Sequence, residues 1–266
     1  MKRVYLFIVL FINSSILFSQ KVELGLTLGL TNYVGDVSPS LVFKETGATG
    51  GVFARYNVNN TWAFTAIISQ SRISGNDKNF DFNKTRNIVF RTDITDFSGI
   101  VEFNYFKYGA GVRDEHFTPY VFGGIGAAFF NPQGLYGTKW YDLKGVQTEG
   151  QTKGYNGICM TMPMGIGIKW MPNKNFSLEW KVAAFMTFTD YLDDVSNLYT
   201  DVNQLYADKG IVAASLADPT YTTDVNTFVN KKGLQRGNPD FDDWYFNSTV
   251  SVTYRIFKRL KCDRFY

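Results

Sequence analysis

Residues 243–257, DWYFNSTVSVTYRIF, constrain the fold of this chain more than any other stretch. One parity reads Trp244, Phe246, Ser248, Val250, Val252, Tyr254 and Ile256, almost all apolar. The other reads Tyr245, Asn247, Thr249, Ser251, Thr253 and Arg255, almost all polar. Successive side chains of a β-strand point to opposite faces, so this alternation predicts a strand with one apolar and one polar face. Soluble strands usually run to about 5–6 residues, whereas crossing a bilayer takes about 9–11 tilted residues. The length of the run, with aromatics near both ends of its apolar face, predicts a strand that crosses lipid.

The pattern recurs. Val22, Leu24, Leu26, Leu28 and Leu30 alternate with Glu23, Gly25, Thr27, Gly29 and Thr31. Similar runs occupy residues 51–56, 62–69, 97–105, 121–129, 158–170 and 176–189, which makes eight predicted strands. Short connections at 57–60, 106–117 and 171–174 alternate with long ones at about 33–48, 72–86, 131–156 and 190–242. Outer-membrane barrels show this asymmetry, with tight periplasmic turns on one rim and longer external loops on the other. The predicted fold is therefore all-β, an eight-stranded antiparallel transmembrane β-barrel with both termini in the periplasm. In the last long loop, Val195, Leu198, Tyr199, Val202, Leu205 and Tyr206 recur at helical spacing. They predict a short helix capped by Ser196 or Asp194 and ended by Asp218-Pro219, packed on the barrel rim.

Bulk properties agree. Aromatics make up 17 % of the chain, yet mean hydropathy is only −0.15, as when lipid-facing and lumen-facing residues average out. At the N-terminus, Lys2 and Arg3 precede a largely apolar run over residues 4–18, and Ser19-Gln20 follows. This predicts a secretory signal peptide over residues 1–19 and a barrel domain over 20–266. An uncleaved anchor helix is disfavoured, because Asn13-Ser14-Ser15 interrupts a run already short of the ~20 residues a span requires. The expected location is the outer membrane, with lipid as a partner. A formal charge of +3 is too small to imply nucleic acid. Cys159 and Cys262 make no disulfide framework and are read as unpaired.

Projected inward, the polar parity collects Glu23, Glu102, Glu179, Arg55, Lys169, Lys181 and Arg255. An eight-stranded barrel is just wide enough for side chains to fill. Unpaired ions there cost several kcal/mol, so these three acids and four bases are expected to pair as a plug rather than line a pore. Catalysis is not expected. The one histidine, His116, lies in a predicted periplasmic turn beside Arg113, Asp114 and Glu115, and no HExxH, GxSxG, Walker-type loop or paired CxxC occurs. Gly123-Gly124-Ile125-Gly126 sits inside a strand and suggests close backbone approach or a bend. Two acidic clusters, Asp190/Asp193/Asp194 and Asp240/Asp242/Asp243, bracket the longest loop and could meet at the external rim. Their oxygens would suit Ca²⁺, but capping and solvation are the favoured reading. No cofactor or metal is expected.

Four runs carry a family likeness: residues 23–36 (ELGLTLGLTNYVGD), 118–133 (TPYVFGGIGAAFFNPQ), 140–151 (WYDLKGVQTEGQ) and 187–196 (TFTDYLDDVS). Together they resemble the PorG family, small outer-membrane barrels of Bacteroidetes associated with the type IX protein secretion apparatus. The resemblance implies a structural role. Such a protein ties the periplasmic ring of that apparatus, a lipoprotein and its partner protein, to the outer membrane. If so, contacts are expected on the periplasmic rim, at Arg113, Asp114, Glu115 and His116 together with Tyr108 in the same turn. The basic tail, Lys258, Arg259, Lys261 and Arg264, is the other candidate, although such a tail also suits lipid headgroups. The alternative is an independent small barrel with a passive, adhesive or pore function.

Overall fold

Alternation becomes structure throughout the chain. The computed structural model describes residues 22–81, 84–111, 114–224 and 228–256. Among these, nine strands form: β1 (Val22–Val34), β2 (Gly47–Asn57), β3 (Trp62–Asn76), β4 (Val89–Asn104), β5 (Phe117–Tyr136), β6 (Lys139–Asp142), β7 (Ile158–Trp170), β8 (Phe176–Thr187) and β9 (Trp244–Arg255). All but β6 join in one ring. Sequential neighbours pair antiparallel, β1 pairs with β9, and β4 with β5, so the sheet closes on itself. The predicted signal peptide, residues 1–19, lies outside the described residues, as does Cys262.

The ring can be walked by its paired residues. Ile94 on β4 leads through Ser71, Thr49, Gly29, Thr249, Lys181, Gly167 and Tyr120 back to β4 at Asn104. The walk returns ten residues from its start. A stagger of that size over eight strands requires strands tilted at roughly 35–45°, the range of membrane barrels.

The pleat sorts the side chains. On β1, Leu26 and Leu28 are 65 % and 73 % exposed, whereas Glu23 and Thr31 of the opposite parity are fully buried. The exposed parity of β7 is Ile158, Met160, Met162, Met164, Ile166, Ile168 and Trp170. Such an apolar outer wall is stable only against lipid, and a closed barrel leaves no unpaired strand edge within it. No helix among the described residues is long and apolar enough to cross a membrane, so the strands do the crossing. At the periplasmic end the wall carries aromatic pairs, Trp62 on Phe103 and Phe176 on Tyr254, with ring centroids 4.9 and 5.2 Å apart. Such rings suit the lipid–water boundary.

Three expectations need correction. Residues 131–156 are not simply a loop, since β5 continues to Tyr136 and turns through Gly137-Thr138 into β6. Gly137, at φ 62°, supplies the left-handed residue that so tight a hairpin needs. The helix, α1 (Val202–Ala217), starts later than its apolar spacing predicts. Asp201, not Ser196 or Asp194, caps it by accepting from the Gln204 amide. Val195 instead lies in a buried strap, and Leu198 bridges to Gln235. The acids Asp190, Asp193, Asp194 and Asp243 are buried rather than solvated, while Asp240 and Asp242 remain exposed.

Glycine-rich β5 behaves as its composition suggests. A Cβ on Gly124 would stand 2.1 Å from the Gly99 carbonyl oxygen, so the backbone approach there excludes any other residue.

Candidate functional site

Near the periplasmic end, inward-facing ions from six strands form one network centred on the Arg55 guanidinium. Arg55 of β2 pairs with Glu23 of β1 at 3.2 Å, Glu102 of β4 at 2.9 Å, and Glu179 of β8. Lys169 of β7 donates to Glu102 at 2.5 Å and to Asn104 at 2.9 Å. Arg255 of β9 donates to Glu23 through Nε at 2.8 Å and through Nη2. The Thr65 and Tyr120 hydroxyls and the Asn57 amide complete the acids' hydrogen bonding at 2.6, 2.6 and 3.0 Å. Three carboxylates therefore meet three cations, and the floor is neutral as well as buried. Buried ions are tolerated on those terms, paired and with their remaining lone pairs occupied.

Lys181 does not join them. Among the described residues no carboxylate lies within ion-pairing distance of it. Its ammonium stands 5.8 Å from the ring centroids of both Phe53 and Phe122. It borders an internal cavity of about 30 Å³, also lined by Asp96, Asn247 and Thr249. A space of that size and polarity holds at most a water or two.

Tyr108 is also placed differently from a rim contact. It is buried inside the mouth, its ring 5.8 Å from the Lys169 ammonium and 5.9 Å from the Arg255 guanidinium. The turn that carries it thus folds inward as a stopper. Asp114 holds that turn by accepting from the Asn60 amide at 2.5 Å and the Gly111 N–H at 2.7 Å. Glu115 and His116 stay exposed. Arg113, Lys258, Arg259, Lys261 and Arg264 lie outside the described residues.

At the opposite end, a second polar assembly closes the external mouth. The segment 189–196 dips into the barrel, where Leu192 and Val195 are fully buried against Tyr33, Phe90, Ile94 and Tyr245. The Thr92 hydroxyl donates to the Leu192 carbonyl at 2.5 Å. Asp193 and Asp243 both contact the Tyr33 hydroxyl, at 2.6 and 2.7 Å. Asp194 adopts a left-handed backbone, φ 64°, and accepts from Thr148 at 2.5 Å and Tyr155 at 2.9 Å. Arg236 pairs with Glu149 at 2.9 Å and lies 3.7 Å from Asp194. Burial pushes Asp194 up to about 6, Asp193 to about 7, and Asp190, with the Asp193 charge adding to it, to about 9. Among the described residues no group of three acidic, histidine or cysteine side chains could hold a metal ion.

Sequence reasoning missed Tyr33, Tyr120, Glu149 and Arg236. The first two were findable, since both lie on the inward parity of their strands. Glu149 and Arg236 sit in loops, where no periodicity marks direction.

Closed ring, lipid-facing wall and polar filled interior define an outer-membrane β-barrel. The chain belongs to the family described as a domain of unknown function (DUF6089), whose model matches residues 2–207. Among solved structures it is similar to Neisserial surface protein A, at 9 % identity and a TM-score of 0.41, covering 88 % of this chain and 96 % of that one. It is similar to OprG, an outer membrane protein of Pseudomonas aeruginosa, at 8 % identity and a TM-score of 0.41, covering 89 % and 97 %. Ail, the attachment invasion locus protein of Yersinia pestis, solved with the heparin analogue sucrose octasulfate, gives 11 % identity and a TM-score of 0.40, covering 88 % and 98 %. No curated protein sequence matches the chain.

Proposed function

We propose that this barrel is a non-enzymatic anchor that ties the periplasmic ring of a type IX secretion apparatus, a lipoprotein and its partner, to the outer membrane. The observation that carries this reading is the interior. A neutral ion-paired floor, with Tyr108 beneath it, blocks passage at the periplasmic end, and a buried strap blocks the other. A wall that passes nothing is suited to holding something. The PorG-like runs supply the identity of what is held. In this reading the signal peptide over residues 1–19 delivers the chain, and the docking surface comprises Arg113, Glu115 and His116 with the tail residues Lys258, Arg259, Lys261 and Arg264. Asp114 acts on the turn's shape.

The test is co-purification. Tagged full-length protein extracted in mild detergent should bring down the lipoprotein and its partner. Charge reversal at Lys258, Arg259 and Lys261 should reduce that yield while the barrel stays inserted and heat-modifiable. Undiminished recovery after both tail reversal and alanine replacement of residues 113–116 would move the interface off this rim.

A second reading has one observation in its favour. The external loops build a cleft of about 580 Å³ lined by Arg86, Tyr199, Lys231 and Arg236, more structure than an anchor requires. An independent adhesive barrel would use that side. Deletion of the gene separates the two, because only the anchor reading predicts a secretion defect.

A further inference from the structure

The strap at the external mouth is held at a point where hydrogens are too few. A tyrosine hydroxyl carries one hydrogen. Tyr33 lies 2.6 Å from Asp193 Oδ2 and 2.7 Å from Asp243 Oδ1, and one hydrogen cannot serve both contacts. Both are hydrogen bonds only when one of the two carboxyls is itself protonated and donates to the hydroxyl oxygen. We propose that residues 189–196 form a proton-held strap: Asp193 and Asp243, joined through Tyr33, keep it seated in the external mouth while they share a proton, and loss of that proton releases it.

The surroundings leave the pair no other way to be neutralised. Asp193, Asp243 and Tyr33 are essentially fully buried. Among the described residues no lysine or arginine lies within ion-pairing distance of either carboxyl. From the second external loop, Arg86 faces Asp193 but is bound bidentate to Asp77 at 2.8 and 2.7 Å. From the last loop, Arg236 is engaged by Glu149 and Asp194. The first loop contributes Asp36, the third contributes Glu149 and Tyr155, and the strap contributes Asp190. Asp36 and Glu149 add negative charge, and Tyr155 and Asp190 supply no cation. Two buried carboxylates in such a setting cannot both ionise cheaply.

The same carboxyls hold the strap's backbone. Asp243 Oδ2 accepts from the Leu192 amide at 2.9 Å, and Asp193 Oδ1 accepts from the Val195 amide at 2.8 Å. Repulsion between the two acids therefore acts directly on the segment that fills the mouth. The ion-paired floor involves none of these residues, so release of the strap leaves the barrel wall and floor intact.

The sign follows from the direction of the shifts. Carboxyls raised above their ordinary values in the folded cap stabilise it fully only below the ordinary carboxyl range. That stabilisation is lost as pH rises through the raised values, about 6 for Asp194, about 7 for Asp193 and about 9 for Asp190. The strap is closed in mild acid and opens in mild alkali.

Hydrogen exchange on the full-length protein in detergent reads the device directly, because the Leu192 and Val195 amides are bonded to the carboxyls in question. After correction for intrinsic rates, protection of those amides should fall at least tenfold between pH 6 and pH 9, while amides of β1 and β8 stay protected. Asp193→Asn and Asp243→Asn should keep the strap protected at pH 9, and Tyr33→Phe, which removes the joining hydroxyl, should lower its protection already at pH 6. Protection that is flat with pH, or lost equally from the barrel strands, overturns the proposal. So does parental pH dependence in both asparagine variants. If a variant fails the heat-modifiability check for a folded barrel, the titration of the parent protein decides alone.

Discussion

At the scale of single residues, the interior separates two kinds of buried cation. Arg55 contacts three carboxylates on three strands, so Arg55→Leu strands buried charge and should cost about 3–5 kcal/mol. Arg255→Leu should cost less, because Glu23 keeps Arg55 and Asn57. Urea unfolding of the barrel in lipid vesicles gives both values, and equal costs would contradict the geometry. Lys181 predicts the opposite sign. With no carboxylate partner, it carries the desolvation cost of an ammonium and little compensation. Lys181→Met should leave stability unchanged or raise it in the same assay, and a loss above about 2 kcal/mol, the size of a damaged buried contact, would show that a partner had been missed. Parity alone could not make this distinction. Both side chains face inward, and what differs is the neighbour across the lumen, set by the stagger of the ring.

At the scale of elements, the external helix shows how a local rule fails and another replaces it. Asp201 caps α1 through the Gln204 amide, and Gly210 breaks it with φ 83°. Asp201→Ala should weaken the first turns by about 1 kcal/mol, visible as faster exchange of amides 204–208 with the barrel unaffected. Apolar spacing alone had extended the helix back to Val195, because buried strap residues and buried helix residues look alike in sequence. Strands were legible for a physical reason: lipid outside and a charged lumen inside impose a contrast on every second residue. Where β5 rises past the membrane, Asn131 and Gln133 replace that contrast, and periodicity no longer marks the strand. The cap was least legible. Asp193, Asp243 and Tyr33 come from three separate elements, and only the closed ring brings them together.

At the scale of the whole molecule, the short turns lie on one rim and the long loops, with α1 and the strap, on the other. Labelling of intact cells with an impermeant thiol reagent should reach a cysteine placed in residues 228–240 and miss one placed after residue 258. The reverse pattern would invert the topology. With the floor and strap both in place, planar-bilayer recordings should show no regular channel steps. Arg55→Leu combined with Asp193→Lys is the variant to examine for conduction, since it disturbs both closures.

The floor has a consequence for how the molecule is made. Glu23 and Arg255 are partners on β1 and β9, separated by 232 positions in the chain. Their contact exists only after the first strand has met the last. Until then Arg255 lacks Glu23, and Glu179 lacks Arg55 across the lumen, which disfavours burying that face. Completion of the cylinder is therefore also the moment at which its charges cancel. The ion network acts as a proofreader of assembly, and a ring closed one strand short or one residue out of step would fail the check.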